Sequence, residues 1–389
     1  MRLVFVSNYL NHHQIPMSNA LFNALSGSYA FIQTEKMEQE RVNLGWDDNL
    51  DYPYLIKYYE QPDKCRKLIS EADWVVFGGV EDESYIADRI AAKKKVFRYS
   101  ERLYKEGQWK FVSPRGLKKK FHDHTRHFAK PVYLLCSGAY VPSDFHLVKA
   151  YGKKMYKWGY FPETKRYDVD NLLENKKGNS TGTLQIMWAS RFIDWKHPEI
   201  ALSVVYHLKS KNIDFKMIMA GTGELLEETK KRAEKEDLSE YIEFTGALPP
   251  SQVRRLMERS DIFIHTADRK EGWGAVLNEA MNSGCVCFSD VAVGAAPYLI
   301  EDGVNGVLYR RENMDGLYAK LDRVVTEKAL RERIGKAAYE TITGKWNAEY
   351  AAKQLVRLMS GDMTFAESGP CSKAEVISEK KMRRKVRKW

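Results

Sequence analysis

"DIFIHTADRKEGWGAVLNEAMNSGCVCFSD", residues 261–290, decides the fold. Residues 261–266 form an apolar run that reads as a buried strand. A glycine-bearing loop follows, then a helical stretch starting near Gly274, then a second β-branched run from Cys285. Strand, loop, helix and strand in that order predict a parallel sheet with a crossover helix. Glu271 falls in the loop before the helix and Glu279 in its early turns. Both then surround a helix N-terminus, whose unpaired backbone N–H groups favour an anion. Taken alone, the stretch reads equally well as a helix start whose acidic residues offset the dipole.

The same alternation runs outward in both directions. Strand-like runs in the first half are "RLVFVSN", "AFIQT", "YPYLIKYY", "DWVVFGG", "KKVFRYS" and "PVYLLCS"; the second half adds "LQIMWAS", "FKMIMAG", "YIEFTG", "DIFIHT" and "CVCFSD". Amphipathic segments such as "QIPMSNALFNAL", "HPEIALSVVYHLKS" and "LLEETKKRAEKEDL" lie between them. These are too many strands for one sheet, and the polar stretch 170–183 reads as a linker. The expected fold class is α/β with two Rossmann-like domains, residues 1–165 and 166–345. A helix at 346–362 is expected to pack back on the first domain, followed by a basic tail, 363–389. Ligands of such sheets bind at the carboxyl ends of strands, so the strand-to-helix loops carry the chemistry.

Composition bounds the function. A chain of 389 residues, 44% hydrophobic and 29% charged, fits two globular domains. No apolar run approaches the roughly 18–20 residues that span a bilayer, and "MRLVFVSNYLNHHQ" is no secretory signal. Five scattered cysteines without paired CxxC spacing predict reduced, buried thiols and a cytoplasmic protein. The net charge of +10 is concentrated in two places. Residues 373–389 hold eight Lys and Arg against two Glu, and residues 115–130 hold six against one Asp, leaving the rest close to neutral. A solvated face explains either run; an anionic membrane surface and nucleic acid are the partners they would suit. His122, His124 and His127 sit among lysines without an acidic cluster, which argues against a metal. With Leu117, Phe121, His124 and Phe128 at helical spacing, 115–130 reads as a basic amphipathic helix.

Three loops of the second half stand out. "MWASRFIDWKHPEIAL" leaves a strand with Arg191 and enters a helix after Lys196, and two cations across a turn can converge on a diphosphate. "IMAGTGELLEE" has Gly221 and Gly223, but Leu226 occupies the third glycine position of a dinucleotide fingerprint, so this is a tight turn only. Gly246 marks a further turn at the same sheet edge.

In this order and spacing, "ASRFIDWKHPEIAL", "AGTGE", "IEFTGAL", "EGWGAVLNEAMNSGC" and "EDGVNGVLY" resemble the retaining glycosyltransferases of family 4, with the GT-B fold of two Rossmann-like domains facing across a cleft. The resemblance covers residues 184–310. It implies that Glu271 and Glu279 are the two glutamates of an E-x7-E motif, Glu271 near the donor sugar and Glu279 on the nucleotide ribose. It implies that Arg191 and Lys196 bind the diphosphate, and that Gly272, Gly274 and the backbone of Ala275 and Val276 face it, with Gly221 and Gly246 nearby. Arg, Lys and a helix N-terminus can stabilise a leaving nucleoside diphosphate without a metal, so no cofactor is expected. The run "VGAAPYLI" departs from the family's Gly-Gly and Pro-Glu pattern at Ala295 and Tyr298. In the first half the match is one of outline: His12 and His13 follow the first strand, and Glu101 stands where the family often has a histidine. These three are candidates for the acceptor or sugar side.

The expected activity is transfer of a sugar from a nucleotide diphosphate sugar, UDP-sugar favoured, to a glycan or lipid-linked glycan in cell-surface polysaccharide synthesis. Segments 115–130 and 373–389, with Phe121 and Trp389 at the interface, would hold the protein on the inner face of a membrane. A sugar-nucleotide epimerase of the same fold is the alternative enzyme. A basic nucleic-acid-binding protein is the alternative from another class, but no helix-turn-helix, RRM or zinc-finger spacing appears, and nucleic acid is not an expected partner.

Overall fold

The computed structural model describes residues 1–37, 50–176, 178, 182–362 and 368–386. The chain divides into two compact units, Met1–Glu163 with Lys345–Ile377, and Thr164–Gly344 with Ser378–Trp389.

In the first unit a seven-stranded parallel sheet runs β1 (Leu3–Ser7), β2 (Tyr29–Gln33), β3 (Leu55–Lys57), β4 (Trp74–Phe77), β5 (Lys95–Ser100), β6 (Val132–Ser137) and β7 (Met155–Trp158) along the chain. In space the order is β3-β2-β1-β4-β5-β6-β7. Helices α1 (Ile15–Ala24), α2 (Pro62–Glu71), α3 (Ser84–Ala91), α4 (Pro114–Asp123) and α5 (Val141–Leu147) fill the crossovers. Every residue of β1, β2 and β4 is buried, as expected for β-branched and aromatic strands covered on both faces. Pro62 and Pro114 open their helices, where a missing N–H leaves no bond unmade.

The second unit repeats the plan with α6 (Val169–Glu174), β8 (Leu184–Ala189), α7 (Pro198–Ser210), β9 (Phe215–Ala220), α8 (Leu226–Lys235), β10 (Ile242–Gly246) and α9 (Pro250–Arg259). It continues through β11 (Ile262–His265), α10 (Ala275–Asn282), β12 (Val286–Asp290), α11 (Ala296–Leu299), β13 (Val307–Tyr309), α12 (Met314–Thr326) and α13 (Lys328–Gly344). Its parallel sheet is ordered β10-β9-β8-β11-β12-β13. Trp188, Phe215, Phe263 and Phe288 are buried in its core, each contributing about 1.5–3 kcal/mol of apolar transfer. The strand order reverses between β8 and β11, the position at which open α/β sheets bind ligands.

The chain then returns to the first unit with α14 (Ala348–Ser360), which packs beside α1 and whose Met359 carbonyl accepts from Trp74 Nε1 at 3.2 Å. Residues 371–374 do not form part of a tail. Cys371 N donates to Lys157 O (2.7 Å) and Ala374 N to Met155 O (3.1 Å), which closes the exposed edge of β7. A short helix, α15 (Glu379–Lys385), then joins the second unit. Arg383 pairs there with Glu312 and Glu379, and Glu379 with Arg269 at 3.0 Å. The expected linker at 170–183 is also corrected, because it begins inside α6, where Leu172 and Leu173 are buried. Trp389 and residues 363–367 lie outside the described residues. All five cysteines are free and buried, and no helix among the described residues is long and apolar enough to cross a membrane.

Candidate functional site

Because the second sheet is parallel, the loops after β8, β9, β10, β11 and β12 leave from one edge. Backbone bonds stitch them together: Ser190 N to Ala220 O (3.0 Å), Phe192 N to Thr222 O (2.8 Å) and Gly221 N to Gly246 O (2.8 Å). Such close loops require bare backbone. Gly221 has φ +136°, and a Cβ there would lie 1.9 Å from the Ser190 carbonyl oxygen. A Cβ on Gly294 would lie 1.7 Å from the Gly272 carbonyl oxygen. Part of the glycine signal in this region therefore reports loop-to-loop packing.

The structure brings Arg191, Lys196 and Glu271 together at the strand-order reversal. Lys196, on a single 3₁₀ turn (Asp194–Lys196) after β8, donates from Nζ to Glu271 Oε2, in the loop after β11. The pair is sheltered, with side chains 11% and 15% exposed. Trp195, which the sequence reading missed, organises the cations: Lys196 Nζ lies 4.4 Å and Arg191 Cζ 5.8 Å from its ring centroid. Thr266 Oγ1 donates to the Lys196 carbonyl and accepts from Trp188 Nε1 at 2.7 Å, which fixes the turn from below.

Gly274, at φ +94°, caps α10. A Cβ there would meet His265 Cε1 at 2.9 Å and Glu271 Cγ at 3.3 Å, so only glycine lets the helix start this close to the site. Along α10, Leu277, Asn278, Ala280, Met281 and Asn282 are buried. Ala275, Val276 and Glu279 are half-buried, and their i, i+3 and i+4 spacing puts them on one face. The Glu279 carbonyl accepts from Arg254 Nη1 at 3.1 Å, which holds that turn in place. His265, also missed from sequence, ends β11 beneath Gly274 with Nδ1 3.3 Å from Ser289 Oγ. Burial, and then the Lys196 charge, lower its pKa to about 3, so it is a neutral imidazole.

In the first unit, His12 and His13 follow β1 with ring centroids 3.8 Å apart. Burial and the His12 neighbour lower His13 to about 3. His13 lines a small cavity with Phe5, Tyr99 and Tyr160. Tyr160 in turn donates to Glu101 Oε1 at 2.7 Å, and Lys105 Nζ to Glu101 Oε2 at 2.5 Å. Glu101 is thus bonded to Tyr160, which lines the same cavity as His13.

The expected continuous helix over 115–130 is interrupted. α4 stops at Asp123, and His124 turns inward to bond Tyr151 Oη at 2.7 Å and pack edge-on against Phe145. Among the described residues, no group of three or more His, Cys, Asp or Glu is placed to hold a metal ion. Phe121 and Phe128 are exposed, and so are Trp109 and Val112, which the sequence reading passed over.

Residues 170–341 match the model of the family described as glycosyl transferases group 1. An uncharacterized glycosyltransferase of Methanocaldococcus jannaschii is 25% identical over 193 residues, 49% of each chain. The alpha-monoglucosyldiacylglycerol synthase of Streptococcus pneumoniae is 26% identical over 188 residues, 46% of this chain and 41% of that protein. The matches span about half the length of these relatives or less. The crystal structure of Anabaena Alr3699/HepE in complex with UDP superposes with a TM-score of 0.68 at 13% identity, covering 93% of this chain and 100% of that one. The fold is that of the GT-B glycosyltransferases, and the residues that match the group 1 model lie within the second unit.

Proposed function

We propose that the chain moves a sugar from a nucleotide diphosphate sugar, a UDP-sugar first, to a glycan or lipid-linked glycan, with retention at the anomeric carbon. The observation that carries this is the Lys196–Glu271 pair with Arg191, set at the strand-order reversal beside the N-terminus of α10. As the bond between the anomeric carbon and the diphosphate breaks, negative charge grows on the leaving group. Arg191, Lys196 and the first N–H groups of α10 stabilise that charge without needing a metal. Glu271 lies where positive charge develops on the sugar, and Glu279, on the half-buried face of α10, takes the ribose hydroxyls. His13 and Glu101 are assigned to the acceptor or sugar side. The Anabaena protein was crystallised with UDP, which supports the choice of base.

The exposed Trp109, Val112, Phe121 and Phe128 among the lysines of 118–120 favour docking on an anionic membrane. The Streptococcus relative, by its name, makes a glycolipid, in keeping with a lipid-linked acceptor. The function is tested by melting curves with UDP, GDP, ADP and their sugars, since a ligand at 100 times its Kd stabilises by about 2.7 kcal/mol. Incubation with the stabilising donor alone separates transferase from epimerase. Only an epimerase would change the sugar without an acceptor.

A further inference from the structure

Two turns meet beside this site. The 3₁₀ turn after β8 ends at His197, whose φ of +50° lies in the left-handed region that non-glycine residues rarely adopt. The turn after β11 passes through Asp268. The two are joined by Asp268 N donating to Trp195 O at 3.0 Å. Side chains join them again: His197 Nε2 lies 3.4 Å from Asp268 Oδ2, and Nδ1 lies 2.8 Å from Glu199 Oε1. Arg311, from the loop after β13, lies against the same Nε2 and 3.6 Å from Asp268. Asp268 also orders its own turn, accepting from Lys270 N at 2.8 Å through its side chain and from Glu271 N at 3.0 Å through its carbonyl. Lys196 immediately precedes one end of this clasp, and Glu271 is bonded to the other.

On the assignment of Lys196 and Glu271 made above, we propose that His197 is a positioning residue. Together with Asp268, it holds the turn bearing Lys196 in register with the turn bearing Glu271. A glycine would adopt this backbone with less strain. The histidine is held there by its partners, and its ring spans the gap between the turns.

The clasp has a protonation state. Burial and the Arg311 charge oppose protonation of His197, but the bonds to Asp268 and Glu199 outweigh them and raise the pKa to about 9. The charged ring donates from Nδ1 to Glu199 and from Nε2 to Asp268, which requires Arg311, a donor only, to leave Nε2 for the Asp268 carboxylate 3.6 Å away. The neutral ring keeps its proton on Nδ1 for Glu199, and its Nε2 accepts from Arg311, which releases Asp268. The groups facing the ring are Glu199 from α7, Asp268 from the β11 loop and Arg311 from the β13 loop, with Arg232 of α8 behind Glu199.

The test is calorimetric titration of UDP into the wild type, His197→Asn and Asp268→Asn from pH 7 to 9.5, with NMR titration of the His197 ring. Asparagine tolerates the left-handed backbone, and Asp268→Asn opens the clasp from its other side. Both variants are expected to bind UDP at least about fivefold more weakly at pH 7. Wild-type affinity should fall with a midpoint near pH 9, and His197→Asn should lack that step. Wild-type affinity in both variants, or the same pH step in His197→Asn, overturns the proposal while leaving the site assignment intact. A His197 ring that titrates near 6.5 overturns it independently of any ligand. A wild type that binds no UDP, with the ring still titrating near 9, rejects the donor-site assignment and with it the role given to the clasp.

Discussion

Glu271→Gln tests whether the carboxylate and the diphosphate compete for Lys196. In the structure Lys196 already has a partner, so an arriving diphosphate must share or displace Glu271. The pair is too sheltered to behave like an exposed ion pair, worth about 0–1 kcal/mol, and less enclosed than pairs whose disruption costs about 3–5 kcal/mol. Glutamine keeps an oxygen that can accept from Lys196, so the loss of stability should be about 1–2 kcal/mol. For a unit of this size that lowers Tm by about 2–6 °C. The same change frees Lys196 for an anion. UDP affinity should rise about fivefold, equivalent to about 1 kcal/mol. Turnover should fall on the proposed role of Glu271, because the variant lacks the carboxylate assigned to the positive charge on the sugar. Melting curves, UDP calorimetry and donor turnover on one preparation read all three effects. UDP binding weakened tenfold would show that Glu271 itself holds the nucleotide, and an unchanged Tm with unchanged affinity would show that the pair does not form.

Gly221→Ala should cost about 3 kcal/mol in urea unfolding, since alanine at this φ is strained and its Cβ would sit 1.9 Å from a carbonyl oxygen; a loss under 1 kcal/mol would contradict the loop packing. The His197 bonds raise its folded pKa above the unfolded value near 6.5, so their stability is complete below about pH 6.5 and is lost as pH rises to about 9. The expected loss is at most about 3 kcal/mol in wild type, read by denaturation across that window, and should be absent in His197→Asn. Truncation after Ile377 removes α15 and the Arg269–Glu379 bond, so UDP affinity should drop about two- to fivefold; unchanged affinity would leave α15 without a role at this loop. Lys118→Glu with Lys119→Glu should weaken binding to anionic liposomes by about 2 kcal/mol or more at low salt, and equal co-sedimentation would remove 115–130 from the membrane.

What was readable in the sequence follows from what the physics repeats. Buried parallel strands such as β1, β8 and β12 need uninterrupted apolar residues, and those runs are visible without neighbours. The sheet-edge strands β7 and β13 were not identified as strands, because neither lies in a longer apolar run of the kind that marks the equally short β3 in "YPYLIKYY". The chain beyond 362 reads as a charged tail by composition. Its docking depends on backbone bonds to β7 and on acids at Glu312 and Glu379, which composition does not reveal. Arg191, Lys196 and Glu271 were picked out by chemistry and spacing. Trp195, His265 and the His197–Asp268 clasp were not, since a tryptophan between two cations, or a histidine before a proline, becomes informative only when separate loops are brought together.

On the proposed function, the loops after β8 and β11 bind the diphosphate of a nucleotide sugar. Calorimetric titration of UDP into the wild type and Lys196→Ala tests it most directly, with circular dichroism confirming that both are folded. A charge-assisted bond to phosphate is worth roughly 1.5–3 kcal/mol, so the account predicts saturable wild-type binding and at least a tenfold loss in Lys196→Ala. Equal affinity in the two proteins, or a wild type that binds none of UDP, GDP and ADP, would contradict it.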